Sequence, residues 1–356
     1  MWDYLSKTDR KIVLYGRGNA AERIMRELER RGKKPAGFFA SDGFVRDKEF
    51  HGYPVRGYRE AFLEFGADMI VLLCFGSHRD DVIENILHIA IETEFYAPDL
   101  PVIPEFKEDG SEILFTPQYK EEHEEQLQKV FDALADDQSR RVFQCVNKYR
   151  LTGKIQYLVN CETKDADNWA LLDPNASDIY MDLGAYTGDT VEEFIKYAGG
   201  APALIYAVEP EERNFRKLSE NTAGLENCRL INMAVSDKDE MVEFSKGGGR
   251  GSLQDKTKLV HADSVDHMLG WREGSDAPGE AVSLIKMDLE GAESKAIAGA
   301  AQTIKTYKPR MLVSAYHRVD DIWKLPLQVL ELNPDYKVYL RHNHCLPGWE
   351  VNYYFK

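Results

Sequence analysis

The segment IYMDLGAYTGDT, residues 179–190, restricts the folds open to this chain more than any other feature. Asp182 follows an apolar, β-prone run, and Gly184 and Gly188 lie four residues apart before Asp189, where a helix is predicted to begin. A strand, a glycine turn and a helix in this order are typical of an open α/β sheet, in which ligands bind at the carboxyl ends of the strands. We therefore predict a ligand site at this turn.

The spacing of the glycines in this turn limits the classes of ligand that the turn can bind. The pattern is D-x-G-x-x-x-G instead of the G-x-G-x-x-G that holds a diphosphate, and the acidic residue suits a ligand with an ammonium group. A nucleoside also needs a carboxylate at the end of the next strand, and Glu209 follows the apolar run at 204–208. S-adenosylmethionine carries both an ammonium group and a ribose, so we predict it as the cofactor.

The alternation of strands and helices predicts the fold class and the domains. Residues 1–117 read as a small parallel α/β domain, residues 118–177 as a helical connector, and residues 178–356 as a second α/β domain. In that last domain we predict strands at 179–182, 204–208, 229–235, 283–288 and 310–314. Two further runs, 336–340 and 351–355, flank the turn at 346–348 and predict a terminal antiparallel hairpin.

Composition excludes several classes of protein. The longest apolar run, 69–75, is far shorter than the roughly 20 residues that span a bilayer, and no signal peptide is recognised at the N-terminus. A formal net charge of -15 disfavours nucleic acid as a partner. The five cysteines contain no C-x-x-C pair for zinc or redox chemistry. We predict a cytoplasmic protein without a membrane or nucleic-acid partner.

Five motifs resemble the FkbM family of S-adenosylmethionine-dependent methyltransferases: MDLGAYTGDT at 181–190, YAVEPEERNFRKLSEN at 206–221, NMAVSD at 232–237, IKMDLEGAE at 285–293 and LRHN at 340–343. The resemblance covers about residues 120–356 and implies a seven-stranded, Rossmann-like methyltransferase sheet. It also implies the residues that bind the cofactor. These are Asp182, Gly184, Ala185, Tyr186, Thr187, Gly188, Asp189 and Thr190 at the methionine end, Glu209 and Pro210 at the ribose, Asn232, Ala234 and Val235 at the adenine, and Asp288.

Residues after the fourth and fifth strands are the catalytic candidates. Methyl transfer to an alcohol needs positioning and a base. Asp288 and Glu290 follow their strand at alternate positions, so both carboxylates face one side, and His317 follows the next strand. We predict His317 as the base, with Asp288 or Glu290 as its orienting group or as the substrate anchor. No metal is predicted, although a divalent cation bound by these three side chains is an alternative.

The first domain adds a second motif. Residues 16–21 match G-x-G-x-x-A after a strand, and with residues 37–42 and 52–57 they resemble the nucleotide-binding domain of sugar acetyltransferases. That resemblance implies a nucleotide-sugar or similar ligand, and a purely structural or dimerising unit is the alternative. The glycine-rich stretch at 246–251 reads either as a substrate lid or as a loop.

These observations together predict O-methylation of a sugar, glycan or natural-product hydroxyl, by a chain that is a possible homodimer. Two other functions stay open. An NAD-dependent oxidoreductase acting on a nucleotide-sugar would bind NAD at Gly16, Gly18 and Asp42, although the chain has no Y-x-x-x-K pair. A non-catalytic nucleotide-binding protein would keep the second domain only as a scaffold.

Overall fold

The computed structural model describes residues 1–43, 45, 49–200, 202–245, 257–272 and 279–356. The glycine-rich stretch at 246–251 lies outside the described residues. The strands are β1 (Ile12–Tyr15), β2 (Gly37–Ala40), β3 (Glu49–Phe50), β4 (Tyr53–Gly57), β5 (Ile70–Leu73), β6 (Glu94–Tyr96), β7 (Ile179–Leu183), β8 (Leu204–Val208), β9 (Cys228–Ile231), β10 (Ala234–Val235), β11 (Glu240–Ser245), β12 (Thr257–Asp263), β13 (Leu284–Met287), β14 (Arg310–Ser314), β15 (Val338–His342) and β16 (Val351–Phe355).

The helices are α1 (Trp2–Leu5), α2 (Asn19–Arg30), α3 (Tyr58–Phe65), α4 (Asp80–Glu92), α5 (Pro117–Glu122), α6 (Glu124–Ala133), α7 (Asp137–Thr152), α8 (Gln156–Val159), α9 (Asp165–Leu172), α10 (Asp189–Ala198), α11 (Glu212–Asn221), α12 (Val265–Met268), α13 (Glu293–Gly299), α14 (Ala301–Tyr307) and α15 (Asp321–Leu332). None of these helices is long and apolar enough to cross a membrane. The cytoplasmic location stays a prediction.

The chain divides into two compact units that differ from the predicted domains. One unit comprises residues 1–122, 141–162 and 344–350, and the other comprises residues 123–140, 163–343 and 351–356. The predicted connector at 118–177 is therefore shared between the units and is not a separate body. Part of the reason is that α6 buries Leu127 and Val130 and packs on α15 of the second unit.

The first unit contains a six-stranded sheet with the strand order β3-β4-β2-β1-β5-β6. All of its strand pairs are parallel except β3 with β4, which confirms the predicted small parallel sheet. Gly16 follows β1 at a φ of 96°, and a Cβ atom there would lie 2.4 Å from the Phe75 ring. The turn therefore requires glycine for packing, and the nucleotide ligand of this unit stays a prediction.

The second unit contains a seven-stranded sheet with the order β15-β16-β14-β13-β7-β8-β9. β16 is antiparallel to both of its neighbours, β14 and β15, so the predicted terminal hairpin is confirmed. The strand predicted at 229–235 is in fact two strands. β9 ends at Ile231, and the buried residues Ala234 and Val235 form β10, which pairs with β12 in a separate three-stranded sheet.

The strand β7 lies between β13 and β8 in the seven-stranded sheet and is buried on both faces, as expected of an interior parallel strand. Tyr180 stacks on Phe194 of α10 with 4.2 Å between the ring centroids, so the helix is fixed against the strand that precedes it. Because side chains alternate along a strand, Asp182 lies on the same face as Tyr180, one step closer to the carboxyl end. The core thus holds the turn at residues 184–188 in place.

Candidate active site

The turn after β7 has the backbone conformation that its glycines predict. Gly184, Tyr186 and Gly188 have φ values of 85°, 47° and 93°, and α10 begins directly afterwards at Asp189. The amide N–H groups of Gly184 and Ala185 both donate to the Val208 carbonyl, at 3.0 and 2.9 Å. These bonds bring the turn against the end of β8.

Gly184 also packs against the end of β13. A Cβ atom at this position would lie 1.9 Å from the Asp288 carbonyl oxygen, which no side chain can tolerate. The glycine therefore serves two purposes, since it allows the positive φ and it lets the turn touch the residue that follows β13. The predicted cofactor turn and the predicted catalytic Asp288 are in direct contact.

Asp182 is predicted to bind at the methionine end, and that role stays a prediction. Its side chain is fully buried, Oδ2 accepts a hydrogen bond of 2.5 Å from Thr190 Oγ1, and Oδ1 lies 3.3 Å from Lys286 Nζ. Burial raises the pKa of Asp182, and Lys286 and Thr190 oppose that effect. These contacts tie the carboxylate to the start of α10 and to β13.

Glu209 links the turn to the second strand. One carboxylate oxygen accepts from the Tyr186 amide at 3.0 Å and the other from the Glu211 amide at 2.8 Å. The residue is only 5% exposed, and this burial raises the pKa of its carboxyl group. Each oxygen retains a second lone pair, so the carboxylate has the acceptors that the two ribose hydroxyls of S-adenosylmethionine need.

Asn232 fixes the segment beside Glu209. Its side-chain amide donates to the Glu209 carbonyl at 2.8 Å and to the Pro210 carbonyl at 3.3 Å. Asn221, which the sequence analysis missed, does the same for the turn by donating to the Thr187 carbonyl at 2.8 Å. Ala234 and Val235 are buried in β10, and their contact with the adenine stays a prediction.

The ends of β13 and β14 bring the three catalytic candidates together. His317 Nε2 lies 3.4 Å from Asp288 Oδ1 and 3.6 Å from Glu290 Oε2. The two carboxylate side chains are 31% and 32% exposed, whereas the His317 ring is fully buried behind them. The Tyr316 hydroxyl group also approaches Asp288, at 3.4 Å. An acceptor molecule therefore meets the carboxylates before it meets the imidazole.

Two buried acids that the sequence analysis missed complete the cluster. Glu293 Oε1 lies 2.9 Å from His317 Nδ1 and accepts from the Leu289 amide at 2.7 Å. Asp321 accepts from the Arg318 amide at 2.7 Å, and burial together with Glu293 raises its pKa to about 8. Glu293 lies three residues after Glu290 in the segment LEGAE, and this short spacing is the signal in the sequence that could have pointed to it.

The setting of His317 bears on its predicted role as the base, which stays a prediction. Burial by itself lowers the pKa of the imidazole, but Glu293, Asp288 and Glu290 outweigh burial and raise the pKa to about 10. In the absence of a bound cation, these carboxylates therefore favour the protonated imidazole. The side chains of Asp288 and Glu290, which are 31% and 32% exposed, are the members of the cluster that reach the solvent.

Residues 182–343 match the family described as the methyltransferase FkbM domain. This segment of the chain is therefore similar to an FkbM methyltransferase domain. The match includes the turn at 184–188, Glu209 and the cluster around His317, and it excludes the first 181 residues of the chain. The cofactor of the FkbM domain is S-adenosylmethionine, in agreement with the prediction from the turn. This result favours the methyltransferase prediction over the oxidoreductase and the non-catalytic alternatives.

Two known proteins are similar to this chain, one over part of its length and the other over nearly all of it. The 2-O-methyltransferase NoeI of Sinorhizobium fredii is 28% identical over 183 residues, which cover 45% of this chain and 72% of NoeI. The solved structure of methyltransferase FkbM from Methylobacillus flagellatus has a TM-score of 0.72 at 20% identity, covering 97% of this chain and 90% of that protein. The second similarity supports the fold alone.

Proposed function

We propose that this chain methylates a hydroxyl group of a sugar, glycan or natural product, with S-adenosylmethionine bound at the 184–188 turn and at Glu209. The main support is the contact between Gly184 and the Asp288 carbonyl, because it joins the cofactor turn to two half-exposed carboxylates. The similarity to a 2-O-methyltransferase supports an alcohol as the acceptor. Small acceptors and glycans both fit an open sheet edge of this kind.

The proposed reaction requires one proton acceptor. When bound, S-adenosylmethionine supplies a methyl group on a positively charged sulfur. Transfer breaks the carbon–sulfur bond and forms a carbon–oxygen bond, and the proton of the hydroxyl group must leave. We assign Glu290 to that proton, because its carboxylate is 32% exposed and its backbone, at a φ of 50°, holds it at the end of β13. Asp288 anchors the hydroxyl group from the same side.

The test uses the full chain, S-adenosylmethionine with a radiolabelled methyl group, and a panel of sugars, oligosaccharides and hydroxylated natural products. We expect label in an alcohol oxygen of at least one acceptor. The Glu290→Gln variant should lose at least about 100-fold in turnover, as is typical for loss of a general base, while it still binds S-adenosylhomocysteine. Glu226→Gln, at an exposed acid, is the matched control and should turn over normally.

Two results would contradict the proposal. If the label reaches only nitrogen or carboxylate acceptors, the methyl acceptor is not an alcohol. Full turnover by Glu290→Gln would remove the residue from the mechanism.

A further inference from the structure

We propose that Asp288, Glu293 and His317 bind a divalent metal cation at the carboxyl ends of β13 and β14. One ligand atom from each of these side chains lies within 4.8 Å of the others. A cation with bonds of about 2.1 Å spans pairs of ligands that are up to roughly 4 Å apart, so small side-chain adjustments close the site. The sequence analysis gave a cation bound by Asp288, Glu290 and His317 as an alternative. Glu293 was not part of that set.

The buried polar atoms of the cluster support a cation. His317 and Glu293 are fully buried. Among the described residues, neither ring nitrogen of His317 makes a hydrogen bond of normal geometry, and neither does Glu293 Oε2. Buried nitrogen and oxygen atoms normally find a partner, because leaving one unsatisfied costs about 1–3 kcal/mol. A metal ion would displace one proton from the imidazole and bind the freed nitrogen together with a carboxylate oxygen.

The charges of the surrounding residues point the same way. Asp288, Glu290 and Glu293 all lie within 3.6 Å of the His317 ring, and Asp321 is buried next to them. The nearest lysine, Lys286, is 4.0 Å from Asp288 and lies closer to Asp182. A divalent cation therefore enters a cluster in which acids outnumber bases. One imidazole with carboxylates is a donor set that suits Mn²⁺, Fe²⁺ or Zn²⁺.

The site is also open where an acceptor would enter. Glu293 and His317 bind from the buried side, and Asp288, at 31% exposed, closes the site toward the solvent edge of the sheet. A cation with only three protein ligands keeps positions for water or for a hydroxyl group. Bound there, an acceptor hydroxyl would lose its proton more readily, and Glu290 lies beside the site to accept it. This role depends on the proposed function, whereas the binding of the cation does not.

The test is a titration of the chelator-treated full chain with MnCl₂, followed by the electron paramagnetic resonance signal of free Mn²⁺. We expect one tight Mn²⁺ site per chain, with competition by Zn²⁺. His317→Gln and Asp288→Asn should each weaken it by at least about 10-fold. Because His317 is buried and its variant risks misfolding, the partly exposed Asp288 provides the second variant, and an unchanged circular dichroism spectrum shows that each variant is folded.

A second group of possible ligands provides the matched control. Asp239, Asp263 and His267 also lie close together, but Asp239 and His267 are exposed. His267→Gln should leave the tight site intact. Mn²⁺ binding that survives both His317→Gln and Asp288→Asn, or that is lost in His267→Gln, would overturn the proposal. If Mn²⁺ binds tightly but the chelator does not change the rate of methyl transfer, the cation site stands and its proposed role in the reaction is wrong.

Discussion

Asp182 on β7 and Lys286 on β13 are direct neighbours in the parallel register, and their side chains form an ion pair of 3.3 Å that is almost fully buried. Lys286 Nζ also donates to the Gly184 carbonyl at 3.3 Å. Burial alone would lower the pKa of Lys286, but Asp182 and Asp288 raise it above its usual value. The pair therefore connects the interior of the sheet to the cofactor turn, and it stays charged.

Removing Lys286 should leave a buried carboxylate without its counter-charge. We expect Lys286→Met to lower the free energy of unfolding by about 3–5 kcal/mol, as is usual when one partner of a buried pair is lost. The double variant Asp182→Asn/Lys286→Met should recover part of this loss, because it removes both charges. Guanidinium denaturation of the wild type, Lys286→Met, Asp182→Asn and the double variant gives the coupling energy. A loss below about 1 kcal/mol in the single variant would show that the pair is not the anchor described here.

Gly184→Ala should weaken cofactor binding more than it lowers the stability of the protein. The new Cβ atom would overlap the Asp288 carbonyl, so the turn must move, and we expect S-adenosylhomocysteine to bind at least about 10-fold more weakly, or ~1.4 kcal/mol. Gly199→Ala is the matched control, since Gly199 has a φ of 71° with open space around it. Its strain costs about 1–2 kcal/mol of stability and leaves the affinity unchanged. Isothermal titration calorimetry and thermal unfolding separate the two effects.

Glu209 should make cofactor affinity depend on pH. Because burial raises its pKa, Glu209 takes up a proton at a higher pH than a free glutamate does, and its acceptor capacity falls as the pH falls. We expect wild-type affinity for S-adenosylhomocysteine to decrease as the pH falls, starting at a higher pH than the ordinary pKa of a glutamate would give. Glu209→Gln should bind roughly 10–100-fold more weakly at pH 7, as expected for a lost charge-assisted bond, and should show no such slope. The same slope in both proteins would assign the titration to another group.

Asn232 should affect the ribose segment without affecting the fold. The side chain is exposed, and its amide bonds to the Glu209 and Pro210 carbonyls are each worth about 1 kcal/mol. We expect Asn232→Ala to weaken S-adenosylhomocysteine binding by roughly 5-fold while thermal stability stays within experimental error. Asn227→Ala, an exposed asparagine before β9, should change neither quantity. Equal affinity in the two variants would separate Asn232 from the cofactor site.

The sequence was most informative where a local pattern determines the backbone. The turn at 184–188 was predicted correctly because Gly184 and Gly188 both adopt positive φ values, and the hairpin of β15 and β16 was predicted because two β-prone runs flank a proline–glycine turn. Contacts between distant segments were harder to predict. Nothing near Glu293 in sequence shows that it meets His317, and nothing near Asp182 shows that Lys286 lies opposite.

The same limit applies to the chemical state of His317. Its position after the fifth strand was predicted correctly, but its protonation depends on three carboxylates that converge from the end of β13 and the start of α13. A histidine surrounded by acids behaves differently from a free one, because the charged form is stabilised by each of them. Only the folded arrangement shows which of these side chains remains accessible to an acceptor.

The position of β16 between β14 and β15 has a consequence for synthesis on the ribosome. As the chain emerges, β14 and β15 are both complete before residues 351–355 appear, and each of them lacks the neighbour that eventually lies between them. Until that strand arrives, an unpaired backbone edge next to the catalytic cluster is exposed to other nascent chains. We therefore expect the nascent chain to depend on chaperones mainly during the last part of translation, until the residues of β16 have emerged.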